Sequence, residues 1–113
     1  MQDLKARTKQ FALDVIRCCR TIPSGDEFHI IRRQVIRSAT SVASNYRAAQ
    51  RAKSKADFIS KLGTAEEEAD ETLIWLECLD ELMECKRSDL QRLLKEADEL
   101  VAILTASRKS ARG

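Results

Sequence analysis

The sequence predicts an all-α protein, an antiparallel up-down-up-down four-helix bundle, on three observations. Turn formers are scarce, with three Gly and one Pro in 113 residues. Apolar residues recur at alternating three- and four-residue steps, which draws a stripe along one helical face. Only three short stretches, "TIPSGDEF", "RAKSKADF" and "CKRSDLQ", interrupt that period. Aromatics make up 4% of the chain, so the core must be built from aliphatics and Ala. A chain of this length is one domain, expected to span residues 1–107 with a basic, frayed tail over 108–113.

Helix 1 is expected from Asp3 to Arg20, with Leu4, Thr8, Phe11, Val15, Cys18 and Ile22 on its stripe. Pro23 and Gly25 break it. Ser24 with Glu27 reads as a capping box that opens helix 2, which runs to about Arg51. Its inner stripe is Ile31, Val35, Ser38, Val42, Asn45 or Tyr46, and Ala49. Ser54 with Asp57 is a second cap, and helix 3 follows to about Cys85. Phe58, Leu62, Ala65, Ala69, Thr72, Leu76, Leu79 and Met83 form a heptad seam on it. Gly63 inside that seam is expected to admit a neighbouring helix. Ser88 with Gln91 suggests a third capping box before helix 4, whose wide apolar face carries Leu90, Leu93, Leu94, Ala97, Leu100, Val101 and Leu104. Helices 2 and 3 look longer than helices 1 and 4 can cover. Trp75, one position off the seam, is therefore either a contact to another subunit or an intramolecular rim residue.

Charge is unevenly placed. Residues 1–60 hold twelve basic and five acidic residues, and residues 61–113 hold eight and thirteen. The stretch from Arg32 to Lys55 contains seven basic residues and no acid. Arg33, Arg37, Arg47 and Arg51 share one helix-2 face with Thr40 and Ser44. With Lys53 and Lys55, and with Arg32 as a further candidate, they are the expected phosphate contacts, because the planar guanidinium fork holds a phosphate through two hydrogen bonds. Tyr46 is the only ring nearby, so such binding would be driven by the backbone, poor in sequence preference and sensitive to salt. The alternative is that these arginines pair with Glu66–Glu71 of helix 3, in the same chain or in the next subunit, and so serve assembly.

Catalytic chemistry is not expected. The single histidine, His29, has no nucleophile marked near it and reads as a surface residue. Glu66, Glu67, Glu68, Asp70 and Glu71 fan around a helix and lack the Glu-x-x-His pattern of di-metal bundles. Cys18, Cys19, Cys78 and Cys85 have no zinc spacing and are expected to be free thiols. No phosphate-cradling Gly-rich loop is present, so no metal or cofactor is implied. No apolar run reaches membrane-span length, and "MQDLKARTKQ" lacks the apolar core of a signal peptide, which points to the cytoplasm and away from membranes.

The order of features from Gln34 onward resembles a known family. Gln34, Val35, Arg37, Ser38, Ser41, Val42, Asn45, Arg51, Phe58, Ile59 and the "EEEADET" run are similar to the four-helix-bundle proteins encoded in 23S rRNA intervening sequences. The resemblance covers about residues 10–105. It implies a homopentameric ring of antiparallel bundles. It also implies a likeness in fold to accessory proteins of diversity-generating retroelements, basic pentamers that associate with a reverse transcriptase and nucleic acid. Many relatives read Asn–Ile–x–Glu–Gly where this chain has "NYRAA", Asn45 to Ala49. The change leaves helix 2 more continuous and removes a negative charge from the basic stretch. Two functions follow as expectations. One is a non-enzymatic, RNA-biased nucleic-acid-binding accessory protein with RNA, DNA, or an acidic protein such as a reverse transcriptase as partner. The other is an oligomeric interaction scaffold.

Overall fold

The computed structural model describes residues 3–113; residues 1 and 2, the start of the expected domain, lie outside them. Four helices follow one another: α1 (Leu4–Cys19), α2 (Asp26–Gln50), α3 (Lys55–Leu82) and α4 (Ser88–Arg112). Each packs on its two neighbours around the ring α1–α2–α3–α4, and among the described residues the backbones of the diagonal pairs stay more than 8 Å apart. The bundle measures 46 × 24 × 19 Å. Its long axis is set by α3, whose 28 residues rise about 42 Å at 1.5 Å each.

The predicted stripes are the buried ones. Thr8, Phe11, Val15 and Cys18 of α1, Val35, Ser38, Val42 and Ala49 of α2, and the seam from Leu62 to Leu79 of α3 all face inward. The core divides into two clusters. The larger one gathers Phe11, Val15, Val35, Leu76, Leu79, Leu90 and Leu100 from all four helices. The smaller, Ala-rich one holds Val42, Ala49, Leu62, Ala65, Ala69 and Leu104. Between them the fully buried hydroxyls of Ser38 and Thr72 hydrogen-bond across α2 and α3 at 2.8 Å. Each hydroxyl also reaches a carbonyl of its own helix, Ser38 that of Val35 at 3.3 Å and Thr72 that of Glu68 at 2.7 Å, so this small polar layer is satisfied on both sides of the α2–α3 seam.

The helix boundaries differ from expectation at four places and agree at the Ser54 cap. α2 begins after Gly25, whose φ of +133° suits glycine and moves the break one residue past Ser24. Ser24 therefore caps nothing, and Asp26 and Glu27 serve the helix dipole instead. Ser54 does cap α3, its Oγ accepting from the Asp57 amide at 3.0 Å, while Asp57 Oδ2 accepts from the Lys53 amide. α3 stops at Leu82 rather than Cys85, because Met83 turns extended and tucks against the larger cluster. The Ser88–Gln91 box is absent: Arg87 is the N-cap, and the Gln91 side chain donates to Asp80 at 2.7 Å. α4 continues to Arg112, so the expected frayed tail is helix, anchored where Arg108 pairs with Glu66 at 2.6 Å. α4 is thus as long as α2, 25 residues each, and only α1, with 16, is short.

Gly63 does not bring a backbone close. A Cβ there would meet Arg108 Cδ at 3.5 Å, an ordinary contact with a flexible side chain. Trp75 is half-buried against the larger cluster, and its indole N–H donates to Glu71 at 3.2 Å.

Candidate nucleic-acid interface

Antiparallel topology brings the start of α1, the end of α2, the start of α3 and the end of α4 to one end of the bundle. The charges there are mostly positive. Lys5 and Lys9 come from α1, Arg47 and Arg51 from α2, Lys53, Lys55 and Lys61 from the turn and α3, and Lys109 and Arg112 from α4. Among the described residues, no side chain of Lys5, Lys9, Arg47, Arg51, Lys53, Lys55 or Lys61 ion-pairs with an acid. A shallow cleft of about 720 Å³ opens between α2 and α3, lined by Ser44, Arg47, Ala48, Arg51, Lys53, Asp57 and Lys61. Its one carboxylate, Asp57, is already turned to the Lys53 backbone.

The structure treats the predicted stripe residues unequally. Arg33, Arg37, Arg47 and Arg51 do lie exposed along α2. Arg47, Arg51 and Lys53 meet in the cleft. Lys55 is exposed at the first turn of α3, outside the cleft lining. Arg37 is engaged across the α2–α3 seam with Glu68, at 3.2 Å, and with Glu71. Arg33 stands 14 residues from Arg47, about 21 Å along the helix. Arg32 is structural. Its guanidinium donates to the carbonyls of Cys19 (3.1 Å), Ile22 (2.9 Å) and Pro23 (3.1 Å), closing the end of α1. Arg87 clamps the same loop from α4, donating to the Thr21 carbonyl at 3.1 Å and hydroxyl at 2.6 Å.

Lys5, Lys9 and Lys61 were not singled out by the sequence, nor was the convergence of Lys109 and Arg112 on the same end. Each lies far from the Arg32–Lys55 run in sequence, and only the bundle topology, which the helix pattern already implied, could have gathered them. Tyr46 is half-buried against the smaller core cluster, and burial raises its pKa.

The remaining polar groups are structural or surface groups. Arg7 grips Glu96 through Nε (2.7 Å) and Nη2 (2.6 Å) and also reaches Glu99, joining α1 to α4. Glu66 is held below the usual carboxylate range by the Thr105 hydroxyl and by Arg108. Burial pushes the Cys18 thiol up to about 12 and the Cys19 thiol up to about 11, so both stay protonated. Cys78 is half-buried and Cys85 exposed; all four thiols are free. His29 is exposed on the first turn of α2. Among the described residues no cluster of His, Cys, Asp and Glu is placed to hold a metal ion, and no helix is long and apolar enough to cross a membrane.

The family model described as "23S rRNA-intervening sequence protein" matches residues 2–106. A solved structure from Bacteroides thetaiotaomicron, a protein with unknown function from the S23 ribosomal protein family, superposes with a TM-score of 0.83 at 30% identity. The likeness covers 93% of this chain and 97% of that one. Comparison with the curated proteins gives no match.

Proposed function

This chain belongs to the 23S rRNA-intervening sequence protein family, and we propose that it is a non-enzymatic, homo-oligomeric accessory protein of the cytoplasm that binds nucleic acid, RNA first, through its basic end. The observation that carries the reading is the cleft of Arg47, Arg51, Lys53 and Lys61 at an end where all four helices contribute cations. Clustered like charges without acid partners cost stability through mutual repulsion, which a polyanion relieves. The cleft is open and lined by no aromatic ring, which suits a phosphodiester backbone better than a base. RNA is the first candidate because the family is defined by proteins encoded within 23S rRNA genes. A pentamer, as the resemblance implies, would repeat the cleft five times, and several weak contacts made together bind far more tightly than one. A reverse transcriptase or other acidic protein is a compatible partner for the same surface.

One observation favours the scaffold reading for part of the stripe. Arg37 is bound to Glu68 and Glu71 within the chain, so it serves packing of α2 on α3. The test separates the two. Labelled single-stranded RNA, structured RNA and duplex DNA are titrated with the wild type, an Arg51→Ser/Lys53→Ser/Lys61→Ser variant and an Arg33→Ser control. Binding lost in the triple variant at unchanged oligomer mass, and kept in the control, supports the cleft. A wild type that binds none of the three overturns the nucleic-acid reading in favour of the scaffold.

A further inference from the structure

A second surface carries unpartnered charge in an ordered pattern, the seam between α1 and α2. Two depressions of about 370 and 240 Å³ meet at Ile16 and form one groove along it. The groove is basic at one end, with Lys5, Lys9 and Arg47, and basic at the other, with Arg20. Its middle is apolar, with Leu13 36% exposed beside Ile16. No acidic residue lines either depression.

The outer face of α3 carries the inverse pattern. Glu67, Asp70, Ile74, Glu77 and Glu81 follow one another at three- and four-residue steps, and all are exposed. Ile74 is 50% exposed at the centre of this stripe, a large apolar side chain ringed by acids. Among the described residues none of the four acids is ion-paired. The spacings agree as well. Glu67 and Glu81 lie 14 residues apart, Lys5 and Arg20 lie 15 apart, so both patterns span about 21–23 Å of helix. Ile74 sits midway in one and Leu13 near the middle of the other.

We propose that the acidic α3 stripe of a second copy of this chain docks lengthwise in the α1–α2 groove, with Ile74 against Leu13 and Ile16 and its acids over the cations at the two ends. This pairing rests on the homo-oligomeric reading above and specifies its interface. α1 and α3 lie diagonally across the bundle, their backbones more than 8 Å apart, so one subunit presents the groove and the stripe on different sides. The contact is therefore head-to-tail, and repeating it closes a ring or extends a filament. It also divides the basic surface between two tasks. Docking occupies Lys5, Lys9 and Arg47 and leaves Arg51, Lys53 and Lys61 open to phosphate. Charge of opposite sign along the two faces sets register and orientation, and like charges penalise other pairings.

The test reverses each face in turn. A Lys9→Glu/Arg20→Glu variant, an Asp70→Lys/Glu77→Lys variant and a chain with all four changes are compared with the wild type by sedimentation velocity, with circular dichroism as the fold check. All four positions are exposed, so the helices are expected to persist. Each single-face variant should associate at least ten-fold more weakly than the wild type, and the four-change chain should recover. An assembled wild type whose single-face variants assemble equally well overturns the pairing alone. So does a four-change chain that stays dissociated. A monomeric wild type overturns the homo-oligomeric reading and the pairing with it.

Discussion

Arg32 lies in the middle of the basic run, yet the structure assigns it to the fold, and Arg32→Ala tests that assignment. Its guanidinium makes three hydrogen bonds to carbonyls at the end of α1. The bond to Pro23 is exposed, and water can replace it at little cost. Those to Cys19 and Ile22 are partly buried. The Cys19 carbonyl keeps the Ile22 amide at 3.4 Å, whereas the Ile22 carbonyl is left without a donor. Losing the charge-assisted bond to Cys19 and orphaning the Ile22 carbonyl should together destabilise by about 2 kcal/mol. With a urea slope of roughly 1–3 kcal/mol/M for a small domain, the unfolding midpoint should drop by about 1 M. Affinity for RNA, measured at a temperature where the variant is folded, should match that of the wild type. An unchanged midpoint together with weakened RNA binding would refute the reasoning and return Arg32 to the phosphate-contacting set.

Gly63→Ala should raise stability by about 0.5–1 kcal/mol, because the added methyl meets only Arg108 Cδ at 3.5 Å while the unfolded chain loses freedom; thermal unfolding reads the sign. Thr72→Val should cost about 1 kcal/mol by removing the partner of the buried Ser38 hydroxyl, and Ser38→Ala/Thr72→Val should cost less than the sum of the two single changes. A double-mutant cycle by urea denaturation measures the difference. Glu66 has a folded-state pKa below its ordinary 4.5 through Thr105 and Arg108. Its stabilising contribution is complete above that value and disappears as the pH falls through the lower folded-state pKa. The stability gap between wild type and Glu66→Gln should therefore be widest near neutrality and close on acidification, which denaturation at a series of pH values records.

The stripes of all four helices were legible in the sequence because burial follows a three-four period that needs no tertiary information. Helix ends were less so. Ser24 and Ser88 carry the capping pattern but lose the role, one to the positive φ of Gly25 and the other to Arg87, whose side chain is anchored on Thr21 of a distant loop. The tail from Ser107 looked frayed because its composition is small and basic. It is helical because Arg108 finds Glu66 on α3, a partner 42 residues away. The candidate site was half legible. Arg47, Arg51 and Lys53 were read from one helix face, whereas Lys61 belongs to the cleft only because α2 and α3 run antiparallel. Arg32 and Arg37 could not be told from the others by type or spacing; what separates them is the carbonyls and carboxylates that folding places in reach.

A cleft that binds phosphate backbone at the basic end must lose RNA affinity steeply as salt rises. For single strands, the slope of log K against log salt is about −0.7 per phosphate neutralised, so the three cleft cations that docking leaves open, Arg51, Lys53 and Lys61, predict a slope near −2 for each engaged subunit. That slope is expected for the wild type, flattened by about two units in Arg51→Ser/Lys53→Ser/Lys61→Ser at unchanged oligomer mass. Equal slopes for the wild type and the variant, or no binding by the wild type at low salt, would contradict it.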